Sequence, residues 1–421
     1  MNDFFRQQLK GDRVIWVVYG LLVVVSLIEG FSSQSFFVAR ASSIIQPFLK
    51  HVVHLGLGFL VMLCVARLPY WMLRMGGYFL GGVSLLLLCY ASLFGGAVNG
   101  GARWVMGIQP SELAKIALIL MTADWITRAK RPGNEAFEQK YFKWFALMVI
   151  VTCGLIFTEN LSTAGLLFLV VIIMMWCGGL AFKRIATLVG IVVAGVALVL
   201  LVAFAVPQSH FCDSDGNLRS DLSVVEKAYY KPFKRAYTWI ARLQRFDEVQ
   251  TQEETLRIQD NNRQVLYGQI AIARGGFGPH LPGSSEVRNK LPQAYSDFVY
   301  SIIVEELGSI LGGLGMIALY MVLLFRVGRI VSKTDNLSYS VLAIGVAAII
   351  VLQALIHMAV CVQLIPVTGQ PLPLITRGGT SIVVTSVYFG ILQNICIHIF
   401  DNQNNTSAVA VPTPSLESAG E

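Results

Sequence analysis

The residues able to do chemistry gather in three short segments. The first is Asn99-Gly-Gly-Ala-Arg-Trp104 followed by Gln109-Pro-Ser-Glu-Leu-Ala-Lys115. Pro110 suits the first turn of a helix, with Gln109 or a neighbour as its cap. Glu112 and Lys115 then lie three apart on one helical face. An ionisable pair at membrane depth is costly unless it faces a cavity or pairs internally. Two readings therefore stand together: a ligand contact, or an ion pair that joins two helices. On residue type alone, Arg103 and Trp104 read as an interfacial anchor.

The second segment runs Gln264-Val-Leu-Tyr-Gly-Gln269, then Arg274-Gly-Gly-Phe-Gly278, then Lys290-Leu-Pro-Gln-Ala-Tyr-Ser-Asp297. Its glycines allow a backbone to approach a ligand, although Gly-rich turns are common. Asp297 begins an apolar run, where Ser296-Asp297 also fits a helix N-cap. Capping and catalysis both remain open for it at this level. Glu305 and Glu306 follow two turns deeper, inside apolar sequence, and are expected to face protein interior or water. The third segment is Pro366-Val-Thr-Gly-Gln-Pro-Leu-Pro373 with Thr376-Arg-Gly-Gly-Thr-Ser381, an irregular loop of prolines and glycines that includes Arg377. At membrane depth such backbone is tolerated only against protein or a water-filled cavity. Gln353 and His357, four apart, share a face of the preceding helix, with His357 read as an interior histidine. No metalloprotease, P-loop, nucleophile-elbow or dinucleotide pattern is present.

These segments are embedded in a chain that is 55% hydrophobic and only 14% charged over 421 residues, with a mean hydropathy of +0.63. A soluble enzyme carries about 25% charged residues. Apolar runs recur along nearly the whole length, and runs such as Leu21 to Leu27 do not alternate as barrel strands would. The expected fold is an all-α polytopic membrane protein with ten transmembrane helices, near 14–31, 51–68, 76–95, 110–127, 142–158, 161–181, 185–206, 298–325, 338–365 and 379–400. Six of the seven cysteines fall inside these runs and pack as small hydrophobes. The net charge of +7 does not indicate nucleic acid, because the basic residues flank the spans. The N-terminal segment and the even-numbered turns carry 15 Lys and Arg against 4 in the opposite short loops, which places both termini in the cytoplasm.

Residues 207–297 form a large extracytoplasmic loop between spans seven and eight. Within it, Val224 to Phe246 mixes aromatics with Lys and Arg. That pattern suits either helices lying on an anionic leaflet or a loop helix packed on its neighbours. Residues 1–400 read as one membrane domain, and 401–421, without Lys or Arg, as a disordered cytoplasmic tail. Small residues on spans eight and nine, among them Gly312 and Gly345, are expected to serve close helix contact with a membrane partner or within the bundle.

With the three segments in this order, the chain resembles the SEDS family (shape, elongation, division and sporulation), the family of RodA and FtsW, over roughly residues 12–400. The resemblance rests on Gly101-Ala-Arg-Trp104, Gln109 to Lys115, Leu291 to Phe298, Glu305-Glu-Leu-Gly308, Pro366 to Pro373 and Gly378-Gly-Thr-Ser381. Lys10-Gly-Asp and Gln-Ala-Tyr-Ser-Asp297 look more like the division-type FtsW than RodA. Many members carry Pro-Asp-Leu-Gly-Thr-Ala where this chain has Glu159-Asn-Leu-Ser-Thr-Ala164, so the family acid there becomes Asn160.

The resemblance implies a multi-pass protein of the bacterial inner membrane, at the division septum, that polymerises lipid II into peptidoglycan glycan strands by inverting transfer. It implies a class B penicillin-binding transpeptidase and other division-complex proteins as partners. It places the essential aspartate at Asp297, as the general base for the attacking sugar hydroxyl. Arg103, Trp104, Glu112, Lys115, Gln269, Arg274 and Arg377 are then the expected substrate contacts, the cations among them meeting the departing pyrophosphate. No cofactor is evident; a divalent cation such as Mg or Mn could substitute for these basic residues, although the sequence shows no dedicated cage for one. A flippase for lipid-linked precursors is the rival class. It would need charged groups reachable from both sides, whereas these segments gather on the outside.

Overall fold

The computed structural model describes residues 10–32, 45–94, 109–133, 135–206, 236–242, 244, 262–280, 282–288, 290–291 and 296–409. Arg103 and Trp104 lie outside the described residues, as does the chain from residue 410 onward. The helices are α1 (Arg13–Ser32), α2 (Ile45–Ala66), α3 (Tyr70–Phe94), α4 (Pro110–Ala129), α5 (Glu135–Glu159), α6 (Leu161–Cys177), α7 (Phe182–Ala205), α8 (Arg263–Arg274), α9 (Val299–Gly308), a π-helical stretch (Ser309–Leu314), α10 (Gly315–Val331), α11 (Leu337–Cys361) and α12 (Gly379–Val409). The described residues contain no strand.

The protein is an all-helical, multi-pass membrane protein. Each expected span overlaps a helical stretch, with ends differing by several residues. Among the described residues, eight helical stretches are long and apolar enough to cross a membrane by length and composition. α6, at 17 residues, is shorter, and α4 carries Glu112, Lys115, Asp124 and Arg128. Large apolar side chains such as Phe79, Leu86 and Phe204 are exposed, as a lipid-facing surface requires. Windows of α11 and α12 are 78% buried and form the centre, whereas α7 is only 11% buried and lies at the edge.

Lipid supplies no hydrophobic drive between helices, so close packing and polar ties hold the bundle. Gly345 of α11 lies against α6, where an added Cβ would meet Met174 Sδ at 2.5 Å. Asp12 caps α1 by accepting from the Val14 and Ile15 amides at 3.0 and 3.2 Å. Its other oxygen accepts from Arg326 Nε of α10 at 2.9 Å. Asn394 of α12 donates to the Val65 and Ala66 carbonyls at 3.1 and 3.2 Å, closing the end of α2.

Two expectations need correction. The run 298–325 is not one continuous α-helix: it breaks after Gly308, which has φ +77°, and six residues of π-helix follow. Gly312 allows this stretch to close, because a side chain there would overlap the Ile303 carbonyl. Gly312 and Gly345 thus serve packing within this chain, one of the two roles left open by the sequence. Finally, α12 continues to Val409, so residues 401–409 are helical where a disordered tail was expected. The helical hydrogen-bond ladder simply propagates through this polar stretch.

Candidate active site

Asp297 sits half-buried immediately before α9. Phe298 holds the N-cap position of that helix, and no side chain caps it. The Asp297 carboxylate instead accepts from the Ser296 hydroxyl at 3.1 Å. Both carboxylate oxygens lie 3.9 Å from where a Cβ on Gly369 would stand. Gly369 has φ +66°, a left-handed turn that glycine adopts without strain. Of the two readings left open by the sequence, capping is therefore excluded. The carboxylate faces Gly369 of the Pro366–Pro373 loop, and among the described residues the Ser296 hydroxyl alone donates to it.

That loop is tied down from several helices. Lys115, fully buried, meets Glu112 Oε1 at 2.9 Å and donates to Gln353 Oε1 at 3.0 Å. Gln353 Nε2 in turn donates to the Pro371 carbonyl at 2.9 Å. His357 Nδ1 meets the Gln370 carbonyl at 2.7 Å, and Gln370 Nε2 donates to Thr163 Oγ1 of α6 at 2.7 Å. Tyr320 of α10 donates to the Pro373 carbonyl at 2.7 Å. Arg242, in the helical stretch 236–242, donates to the Val367 carbonyl at 2.8 Å. In that stretch Ala236 and Tyr237 are buried against the end of α7, which favours the packed-loop reading there. Four carbonyls of the irregular backbone at 366–373, those of Val367, Gln370, Pro371 and Pro373, thus meet side-chain donors, as its depth demands.

Two positions change meaning in three dimensions. Asn160 is the N-cap of α6 and accepts from the Ser162 and Thr163 amides at 3.0 and 3.4 Å. Its role is local, and Asn caps about as well as Asp. The Gly-rich stretch after Arg274 touches α9 closely at two points: a side chain at Gly275 would overlap the Val304 carbonyl, and one at Gly308 would overlap the Gly278 carbonyl. Arg274 pairs with Glu286 at 2.6 Å and with Glu305 at 3.7 Å.

Glu305 and Glu306 face the interior, as expected. Ser285 donates to Glu305 and Ser32 to Glu306, with Arg288 Nη1 at 3.8 Å from Glu306. Gln269 is exposed on α8. Arg377 is half-buried, and its charge reaches His51 on α2. Among the described residues, neither Gln269 nor Arg274 makes a hydrogen bond or ion pair with Asp297. Glu112 and Lys115 are joined to the Asp297 site through the loop.

Sequence reasoning passed over Gln370, Thr163 and Arg242. Only the tertiary contacts single them out. Among the described residues, no group of three or more His, Cys, Asp or Glu is placed to hold a metal ion.

Comparison with known proteins agrees with this architecture. The family model for cell cycle proteins of the FtsW, RodA and SpoVE type matches residues 12–399. The chain is 28% identical over 401 residues to the probable peptidoglycan glycosyltransferase FtsW of Nitrosomonas europaea, covering 92% of this chain and 89% of that one. It is likewise 28% identical to the probable FtsW of Coxiella burnetii, covering 92% and 98%. Among solved structures, it is similar to a chain of a peptidoglycan synthase complex that coordinates polymerisation and crosslinking, with a TM-score of 0.62 at 23% identity over 93% of this chain and 99% of that one. Its fold also matches Thermus thermophilus RodA, with a TM-score of 0.59 at 20% identity over 92% and 97%. From residue 12 to residue 399, this chain belongs to the FtsW/RodA/SpoVE family of cell cycle proteins and is most like FtsW.

Proposed function

We propose that this protein is a peptidoglycan glycosyltransferase that polymerises lipid II into glycan strands during septal wall synthesis, with Asp297 as general base. The carrying observation is the Asp297 carboxylate, which is held before α9 without capping it and is turned to a braced loop. In the proposed reaction a sugar hydroxyl of one lipid-linked disaccharide attacks the anomeric carbon of another. The hydroxyl proton passes to Asp297, the new glycosidic bond forms, and the bond to undecaprenyl pyrophosphate breaks. A base within hydrogen-bond reach contributes about 10²–10⁴-fold to such a step. Inversion needs a single displacement, so one base carboxylate is enough.

The family relatives support this reading by name, and the similarity to a synthase-complex chain supports a class B penicillin-binding transpeptidase as partner. Placement in the inner membrane with cytoplasmic termini follows from the charge bias of the short turns. The test is direct. Purified protein with its transpeptidase partner, given fluorescent lipid II, is expected to yield glycan polymer on a gel. Movement of lipid II across vesicles without polymer would point to a flippase instead.

A further inference from the structure

Three successive turns of α11 each donate a side-chain hydrogen to a backbone carbonyl at the Asp297 site. Gln353 reaches the Pro371 carbonyl at 2.9 Å, His357 the Gln370 carbonyl at 2.7 Å, and the Cys361 thiol the Asp297 carbonyl at 3.7 Å. The spacing of four keeps all three on one helical face. One rigid helix therefore sets the separation between the carboxylate and the loop that faces it.

We propose that His357 is a positioning residue for Asp297, acting through Gln370 and the left-handed turn at Gly369. This inference rests on the reading of Asp297 as the base. A carbonyl can only accept, so Nδ1 of His357 carries the hydrogen. The ring is 1% exposed, and its Nε2 has no partner. A second proton on Nε2 would leave a buried N–H with no acceptor, so the geometry favours the neutral ring. Neutrality suits the task, because His357 lies within electrostatic reach of Asp297. A fixed cation there would favour the ionised carboxylate and weaken it as a base. An uncharged N–H braces the loop without that cost. Gln370 is gripped at both ends, its carbonyl by His357 and its amide by Thr163 of α6 at 2.7 Å. The Gly369 turn is thus fixed between α11 and α6.

The test compares His357→Ala, His357→Asn, Thr163→Val and Asp297→Asn in the full chain with its transpeptidase partner, measuring polymerisation against lipid II concentration and pH. Displacing a reacting group by about 1 Å costs on the order of 10²-fold in rate. His357→Ala is therefore expected to lower kcat by roughly that factor with KM little changed and the pH profile kept. Asparagine places an amide nitrogen close to where histidine carries Nδ1, so His357→Asn should recover most of the rate. Thr163→Val, which releases the other end of Gln370, should lower kcat in the same sense, and it tests the proposal even if His357→Ala does not fold. An Asn variant as inactive as Ala, with an altered pH profile in any residual activity, would mean that the ring itself handles protons and would overturn the positioning role. Wild-type rates in both His357→Ala and Thr163→Val, with Asp297→Asn inactive, would overturn this inference alone. Activity in Asp297→Asn would instead remove the base assignment beneath it.

Discussion

At the scale of single residues, the decisive feature is how little Asp297 is used structurally. A carboxylate that caps a helix can be replaced by asparagine almost silently, because both side chains accept from the same amides. A general base cannot, because an amide takes up no proton. Asp297→Asn and Asp297→Ala are both expected to abolish polymer formation while expression and partner co-purification persist; near-wild-type activity in the Asn variant would sink the assignment. Glu29 makes the contrasting case. It is 2% exposed, and neither carboxylate oxygen has a partner, although Glu306 and Arg288 lie within electrostatic reach. Removing both unpartnered oxygens, as in Glu29→Leu, should raise the thermal midpoint, because a buried polar group without a hydrogen bond costs about 1–3 kcal/mol. Arg288→Met should do the opposite, by roughly 3–5 kcal/mol, because it leaves buried carboxylates uncompensated. A thermal unfolding series in detergent checks both signs.

At the scale of elements, α4 and α11 meet through a relay. Lys115 does not end at its partner Glu112; it continues through Gln353 to the Pro371 carbonyl. Breaking the pair from one side leaves a buried charge, so Glu112→Gln or Lys115→Met alone should destabilise by roughly 3–5 kcal/mol. Removing both charges should return much of that stability. Activity is expected to behave differently: the double variant also loses the support of Gln353, and so should remain as inactive as the singles. Measuring melting and polymerisation on the same preparations separates the outcomes. A double variant that regains both would reduce the pair to a helix fastener.

At the scale of the whole molecule, the buried centre is α11 and α12, and the outer helices lean on them. Gly345 faces Met174 on α6 within this chain. Gly345→Leu is therefore expected to lower thermal stability directly, with partner co-purification falling only as the folded fraction falls. Loss of the transpeptidase from a variant that melts like wild type would return Gly345 to the partner interface. The broken rod of α9, the π-helical stretch and α10 has the same character. Its break falls at Gly308, where residues 275–278 approach closely.

The sequence by itself determined the class of molecule, because membrane insertion is read from local runs of apolar residues that need no knowledge of contacts. It also marked the three polar segments, since charge and irregular backbone are costly at membrane depth wherever they occur. The helix start at Pro110 was likewise local, because proline fits a first turn. Tertiary structure alone decided what each polar group does. Whether Asp297 caps or stays available depends on where its carboxylate points, and Gly369, 72 positions along the chain, is what it faces. Arg274 had the charge expected of a pyrophosphate contact, but Glu286 and Glu305 take it up. Gln370 and Thr163 carried no signal, because a hydrogen bond spanning 207 positions leaves no trace in local spacing. Charge and hydropathy are properties of a residue and its neighbours in sequence; direction and partnership are properties of the packed bundle.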